Sequence, residues 1–144
     1  MIQRIQTVYL FLASICLALV YFFSLWSCVF NLESNHIIYQ LKISAHLPLL
    51  LMLAIALTIS IISIFYFKNR KKQIWLCFTS LISITIFILL VNYYINDAKK
   101  TYEFISSAYS LAALLPFAAI TFIALAIWNI RKDEKLIKSL DRLR

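Results

Sequence analysis

The sequence predicts an all-α integral membrane protein: four transmembrane helices in an antiparallel bundle, followed by a short amphipathic cytoplasmic C-terminal helix. Three observations predict it. Residues 5–32, 43–67 and 73–96 are uncharged runs of 28, 25 and 24 residues. Each exceeds the roughly 20 residues that cross a bilayer's hydrocarbon core as a helix. Between the second and third runs stand four cations in five positions, Lys68, Arg70, Lys71 and Lys72. A lysine at mid-bilayer costs about 2.5–3.5 kcal/mol, so this cluster stays on the side of synthesis and orients the rest. Finally, 63% of the 144 residues are hydrophobic, 14% are charged and the mean hydropathy is +0.88. Soluble chains carry about 25% charge.

The boundaries that follow are a transmembrane domain over residues 1–130, with helices near 5–27, 45–67, 74–95 and 104–130, and a basic tail over 131–144. The first run resembles a signal peptide, but it is longer than an h-region and no small-x-small site closes it. Trp26 beside Cys28 argues against lipoprotein processing, so the run reads as a retained helix. Residues 31–44 read as a watery outer loop, and Pro48 suits a helix's first turn. Residues 96–103 read as a second, short outer connection. Pro116 is expected to kink the fourth helix. Leu47-Pro48 with Ile55-Ala56-Leu57 recurs as Leu115-Pro116 with Ile123-Ala124-Leu125 at the same spacing. In so apolar a chain such a match arises easily, and helices one and three carry no matching echo, so a duplicated hairpin is not inferred.

The net charge of +8 would suggest nucleic acid on a soluble surface. Here eleven cations fall on the side of Arg4, the basic turn and the tail, against Lys42, Lys99 and Lys100 on the other. That is the positive-inside pattern, with both termini cytoplasmic. Aromatic residues mark the two boundaries: Tyr9, Tyr66, Trp75 and Trp128 inside, and Tyr21, Trp26, Tyr93, Tyr94 and Tyr102 outside.

No catalytic, cofactor-binding or metal-ligating set is expected. His36 and His46 are ten residues apart, and Glu33, Asp97 and Glu103 add no ligand spacing. Three scattered cysteines, Cys16, Cys28 and Cys77, make neither a disulfide framework nor a zinc site, and Cys28 alone is placed to meet an oxidising compartment. The apolar runs hold no ionisable group of the kind that marks ion or proton paths. Without glycine, close helix approach must use Ser14/Ala18, Ala56/Ser60 or Ala108/Ala112, as packing inside the bundle rather than as a dimer face.

The tail carries the remaining pattern. Leu136, Ile137, Leu140 and Leu143 fall at helical spacing, with Lys132, Lys135, Lys138, Arg142 and Arg144 among them. Such a helix can lie on anionic headgroups or dock a protein. Met1-Ile2-Gln3-Arg4-Ile5-Gln6-Thr7-Val8-Tyr9-Leu10, together with Asp133-Glu134-Lys135-Leu136 through Asp141-Arg142-Leu143-Arg144, resembles the two ends of an uncharacterised family. That family comprises small four-span inner-membrane proteins of Bacteroidetes, defined only as domain-of-unknown-function family 4293. The resemblance implies no catalytic or ligand residue. It implies that the cytoplasmic ends are the distinctive part.

The expectation is therefore a non-enzymatic protein of the bacterial inner membrane, an accessory or scaffold subunit. Arg4, Lys68, Arg70, Lys71, Lys72 and the tail would meet anionic lipid headgroups or a cytoplasmic or membrane protein partner, with self-association open and nucleic acid ranked well below. The alternative is a small oligomeric transporter or channel for a neutral or lipidic substrate. A cavity lined by Ser14, Thr58, Ser60, Thr79 or Ser83 would favour that alternative, and a closed interior the scaffold.

Overall fold

The computed structural model describes the backbone of residues 3–32, 35–67, 69–101 and 104–141, and the side chains of residues 5–29, 39–67, 69–100 and 106–134. Four helices carry the fold: α1 (Gln3–Phe22), α2 (Leu47–Phe65), α3 (Arg70–Thr101) and α4 (Leu115–Asp141). All four are long and apolar enough to cross a membrane, the make-up of a multi-pass membrane protein. Their outward faces fit that medium. Phe11, Leu51, Ile82 and Leu89 are exposed, Leu89 by 64%. A water-soluble protein rarely presents apolar surface so continuously.

Among the described residues the main core cluster runs along the helices, from Leu10, Ala13 and Leu17 through Leu49 and Leu53 to Ile84, Ile123 and Ile130, and a smaller one lies beneath the sheet. Helix α1 packs chiefly on α4, and α2 on α3. The α2–α3 seam is built from small residues. Ser63 meets Cys77 at 3.2 Å and, about one turn along each helix, Ser60 meets Ser80 at 2.8 Å. Ala56 and Ser60 are both buried here, so this small-residue pair packs inside the protein as expected. The tight turn between the helices is held by Asn69 N–H on the Tyr66 carbonyl and by buried Gln73, whose Nε2 donates to the Ser63 carbonyl at 3.2 Å.

The two connections expected as outer loops are not loops. They form a three-stranded antiparallel sheet of β1 (Trp26–Leu32), β2 (Asn35–Leu41) and β3 (Phe104–Tyr109), in the order β2-β1-β3. Trp26 pairs with Leu41 on one side and Tyr109 on the other, and the β1–β3 register slips between Val29 and Phe30. The first uncharged run is therefore not one helix. Its last seven residues are a strand whose alternation sends Trp26 and Cys28 inward, onto Leu41 and the α3 residue Ile95. Trp26, assigned from sequence to the outer boundary, is only 1% exposed. Cys28, expected to meet an oxidising compartment, is buried beside it, and burial pushes its thiol pKa up.

The helix boundaries change accordingly. α1 stops at Phe22 rather than near 27, α3 is longer at both ends than 74–95, and α4 begins at Leu115 rather than 104. Pro116 does not kink a helix. It stands second in α4, where a missing N–H breaks no intrahelical bond, as Pro48 does in α2. The Leu-Pro echo thus marks two equivalent junctions, strand to 3-10 turn to helix: β2, Ile43–Ala45, α2 and β3, Leu111–Leu114, α4. Ala108 and Ala112 lie in a strand and a 3-10 turn, so they are no helical small-residue pair. Nor is the tail a separate helix. α4 runs without a break through the boundary expected at residue 130 and on to Asp141.

Candidate functional site at the cation-rich end

The chain segments that hold the predicted site residues converge at the end of the molecule opposite the sheet. Gln6, on the first turns of α1, donates to the Asp133 carboxylate on α4, and both side chains are buried. Arg131 of α4 lies over the Phe78 ring of α3, 5.5 Å from its centroid. Asn69, Arg70, Lys71 and Lys72 at the start of α3 line a shallow basin of about 450 Å³ with Glu134 of α4 as its far wall. The beginnings of α1 and α3 and the last turns of α4 therefore share one end.

Three cations of the basic turn are thereby placed in one concavity, and the helix they begin gives them no relief. The first turn of α3 contains no acidic residue to offset its partial positive charge. Among the described residues, Arg70 Nη1 is buried without a hydrogen-bond partner. Lys132 is exposed on α4, outside the basin. Of the other predicted residues, Arg4, Lys135, Leu136, Lys138 and Leu140 lie within helices but outside the described side chains, and Lys68, Arg142, Leu143 and Arg144 lie outside the described residues altogether.

Two polar residues that sequence reasoning passed over matter here. Asp133 read as part of a solvated tail, yet it is 7% exposed and joined to Gln6. Gln73 read as the first neutral residue after the basic turn, yet it locks that turn to α2. The available signal was a pair of amides flanked by cations at the edge of apolar runs, where an unpaired polar group would be costly.

Of the hydroxyls expected to line a cavity, Ser14, Ser60 and Ser83 are buried, whereas Thr58 and Thr79 are exposed on the outward helix faces, and all five are engaged locally. Ser14 donates to the Phe11 carbonyl, Thr58 to Ile55, Thr79 to Leu76 and Ser83 to Thr79, at 2.7–3.0 Å. Ser60 donates to the Ala56 carbonyl and contacts Ser80. The cleft between α3 and α4, about 230 Å³ beneath β3, is instead lined by Leu25, Phe87, Val91, Pro116 and Phe117 with Asn92 and Tyr109. At the sheet end His46 lies against Tyr94, ring centroids 4.4 Å apart and planes tilted by 37°. Among the described residues, no three of His, Cys, Asp or Glu gather as a metal site would require.

No curated protein matches the chain. A family model described as a domain of unknown function, DUF4293, matches residues 2–143, which takes in all four helices and all three strands. The chain belongs to the DUF4293 family.

Proposed function

We propose that this protein is a non-enzymatic accessory or scaffold subunit of the bacterial inner membrane. Its helices form an antiparallel bundle with both termini in the cytoplasm. Its cation-rich end is the surface offered to a partner, and the last turns of α4 serve as an amphipathic docking helix. The observation that carries this reading is the contrast between the two parts of the molecule. The interior hydroxyls, which would have to face a path for a substrate, are bonded to their own helices or to each other. Polar groups that do line a concavity, among the described residues, include the cations of α3, beside Glu134. The same contrast tells against a polar path, and so against the neutral-substrate form of the alternative, a small oligomeric transporter or channel for a neutral or lipidic substrate. The apolar cleft between α3 and α4 includes none of the hydroxyls a polar path would use.

The test is a composition-preserving scramble of residues 135–144, which leaves the buried Asp133–Gln6 contact untouched. Docking uses apolar anchors at helical spacing, whereas headgroup attachment uses summed charge and weakens in salt. The scramble is expected to abolish recovery of the wild-type's co-purifying protein and to fail to complement a deletion, with expression unchanged. A scrambled chain that complements fully and recovers the same protein would sink the docking role.

A further inference from the structure

We propose that the cleft between α3 and α4 binds one acyl chain of a membrane phospholipid, with the lipid's ester groups at Asn92 and Tyr109. The site lies at the sheet end, away from the basic turn, so it does not rest on the docking role. Of the main helix contacts, that of α3 with α4 is the slightest. The cleft of about 230 Å³ lies in that seam. Its floor is buried Leu25, Phe87 and Pro116, and its mouth is exposed Asn92, Tyr109 and Phe117.

Three observations identify the occupant. The first is the medium. Both helices are long and apolar enough to cross a membrane, and Leu89 and Leu114, close in sequence to the lining residues, are exposed as well. An apolar cavity of about 150 Å³ stays dry and admits benzene, so a roomier apolar cleft open to a bilayer takes up hydrocarbon rather than water. The second is the order of polarity. Tyr109 ends β3 and Ala113 lies in the 3-10 turn before α4, so this edge of the cleft is at the sheet. Phe87 stands about 7.5 Å farther from the sheet than Asn92 along α3. A phospholipid entering from the bilayer has the same order, with its esters at the interface and its chain toward the midplane. The third is Asn92 itself. It is exposed within the apolar span of α3 and gives one N–H to the Ile88 carbonyl; among the described residues no other bond engages its amide. A polar group set against hydrocarbon costs free energy until it finds a partner, and an ester carbonyl supplies one. Asn92 and Tyr109 are uncharged amide and phenol donors, so binding should not depend on the charge of the headgroup.

The experiment uses the full chain, purified in neutral detergent and titrated with phosphatidylethanolamine or phosphatidylglycerol, with retained lipid counted by native mass spectrometry. Wild type is expected to retain one molecule of either lipid with similar affinity, unaffected by salt. Ala113→Phe fills the cleft and should lower retention about tenfold, whereas Leu89→Phe, outside it, should not. Asn92→Leu should weaken retention about fivefold. Asn129→Leu, the same change on α4 outside the cleft, should leave it unchanged. If Ala113→Phe fails to fold by circular dichroism, Asn92→Leu at its exposed position carries the test. Equal retention in cleft and control variants overturns the proposal, as does binding of phosphatidylglycerol alone that salt abolishes. Oleic acid retained where neither phospholipid is overturns the phospholipid source. Wild type that keeps no lipid but forms a dimer, lost in Ala113→Phe, assigns the cleft to a second copy instead.

Discussion

Gln73 shows what one buried amide does at the turn between two membrane helices. Its Nε2 satisfies the carbonyl of Ser63, in the last turn of α2, where backbone acceptors have no helical donor. Gln73→Ala removes that donor from a buried position, and a destabilisation of about 1–3 kcal/mol is expected. Thermal unfolding in detergent would read it, and an unchanged midpoint would refute the role. Cys28 offers a test at the other end. Buried under the sheet, its thiol is held protonated above its ordinary pKa. The sign follows: the unfolded thiol ionises first, so stability from this group is present below the unfolded pKa and declines as pH rises past it. A maleimide at mildly alkaline pH should therefore label Cys28 slowly in the native protein and rapidly after denaturation. Equal rates would contradict its burial. Neither role was legible in the sequence, because a residue's type does not reveal which carbonyl or ring it will face.

At the scale of elements, the long apolar helices were readable and their ends were not. An uncharged run of 28 residues satisfies the length rule for one helix, yet only its first part is helical. Composition does not separate a strand such as β1 from the end of a membrane helix, since both are apolar. What makes β1 a strand is pairing on both edges, with β2 on one and β3 on the other, and β3 lies more than seventy residues away. Pro116 was ambiguous for the same reason. It either breaks a helix or begins one, and the strand before it decides. The α2–α3 seam was partly legible, because Ala56 and Ser60 stand one turn apart and only small residues let backbones approach. Ser60→Leu should force α2 and α3 apart and destabilise the protein by about 1–3 kcal/mol. Ser60→Ala keeps the volume and should cost less. The two midpoints measured side by side would show it, and a harmless leucine would refute the tight seam.

For the whole molecule, the prediction concerns sidedness. The sheet carries exposed Gln40 and Ser106, and the opposite end carries exposed Lys71 and Lys132. In a background without native cysteines, cysteines at Gln40 or Ser106 should react with a membrane-impermeant reagent in intact spheroplasts. Cysteines at Lys71 or Lys132 should react only after lysis. The reverse pattern would invert the protein. Replacing Lys68, Arg70, Lys71 and Lys72 by glutamine leaves seven cations against three and should yield mixed orientations. A uniform native orientation in that variant would show that other segments set it.

The sequence by itself determined the medium and the number of apolar helices, because both depend on transfer free energies summed along short windows of chain. It also located the cations at helix ends, since charge cannot remain in hydrocarbon. Only the tertiary structure decided that the connections at the end away from the basic turn pair as a sheet, that Asp133 meets Gln6, and that the basic turn closes with α4 into a basin. Each of these joins residues far apart in the chain through directional hydrogen bonds or shared concavity. Such contacts exist only once the helices have packed, and no local window of sequence contains both partners.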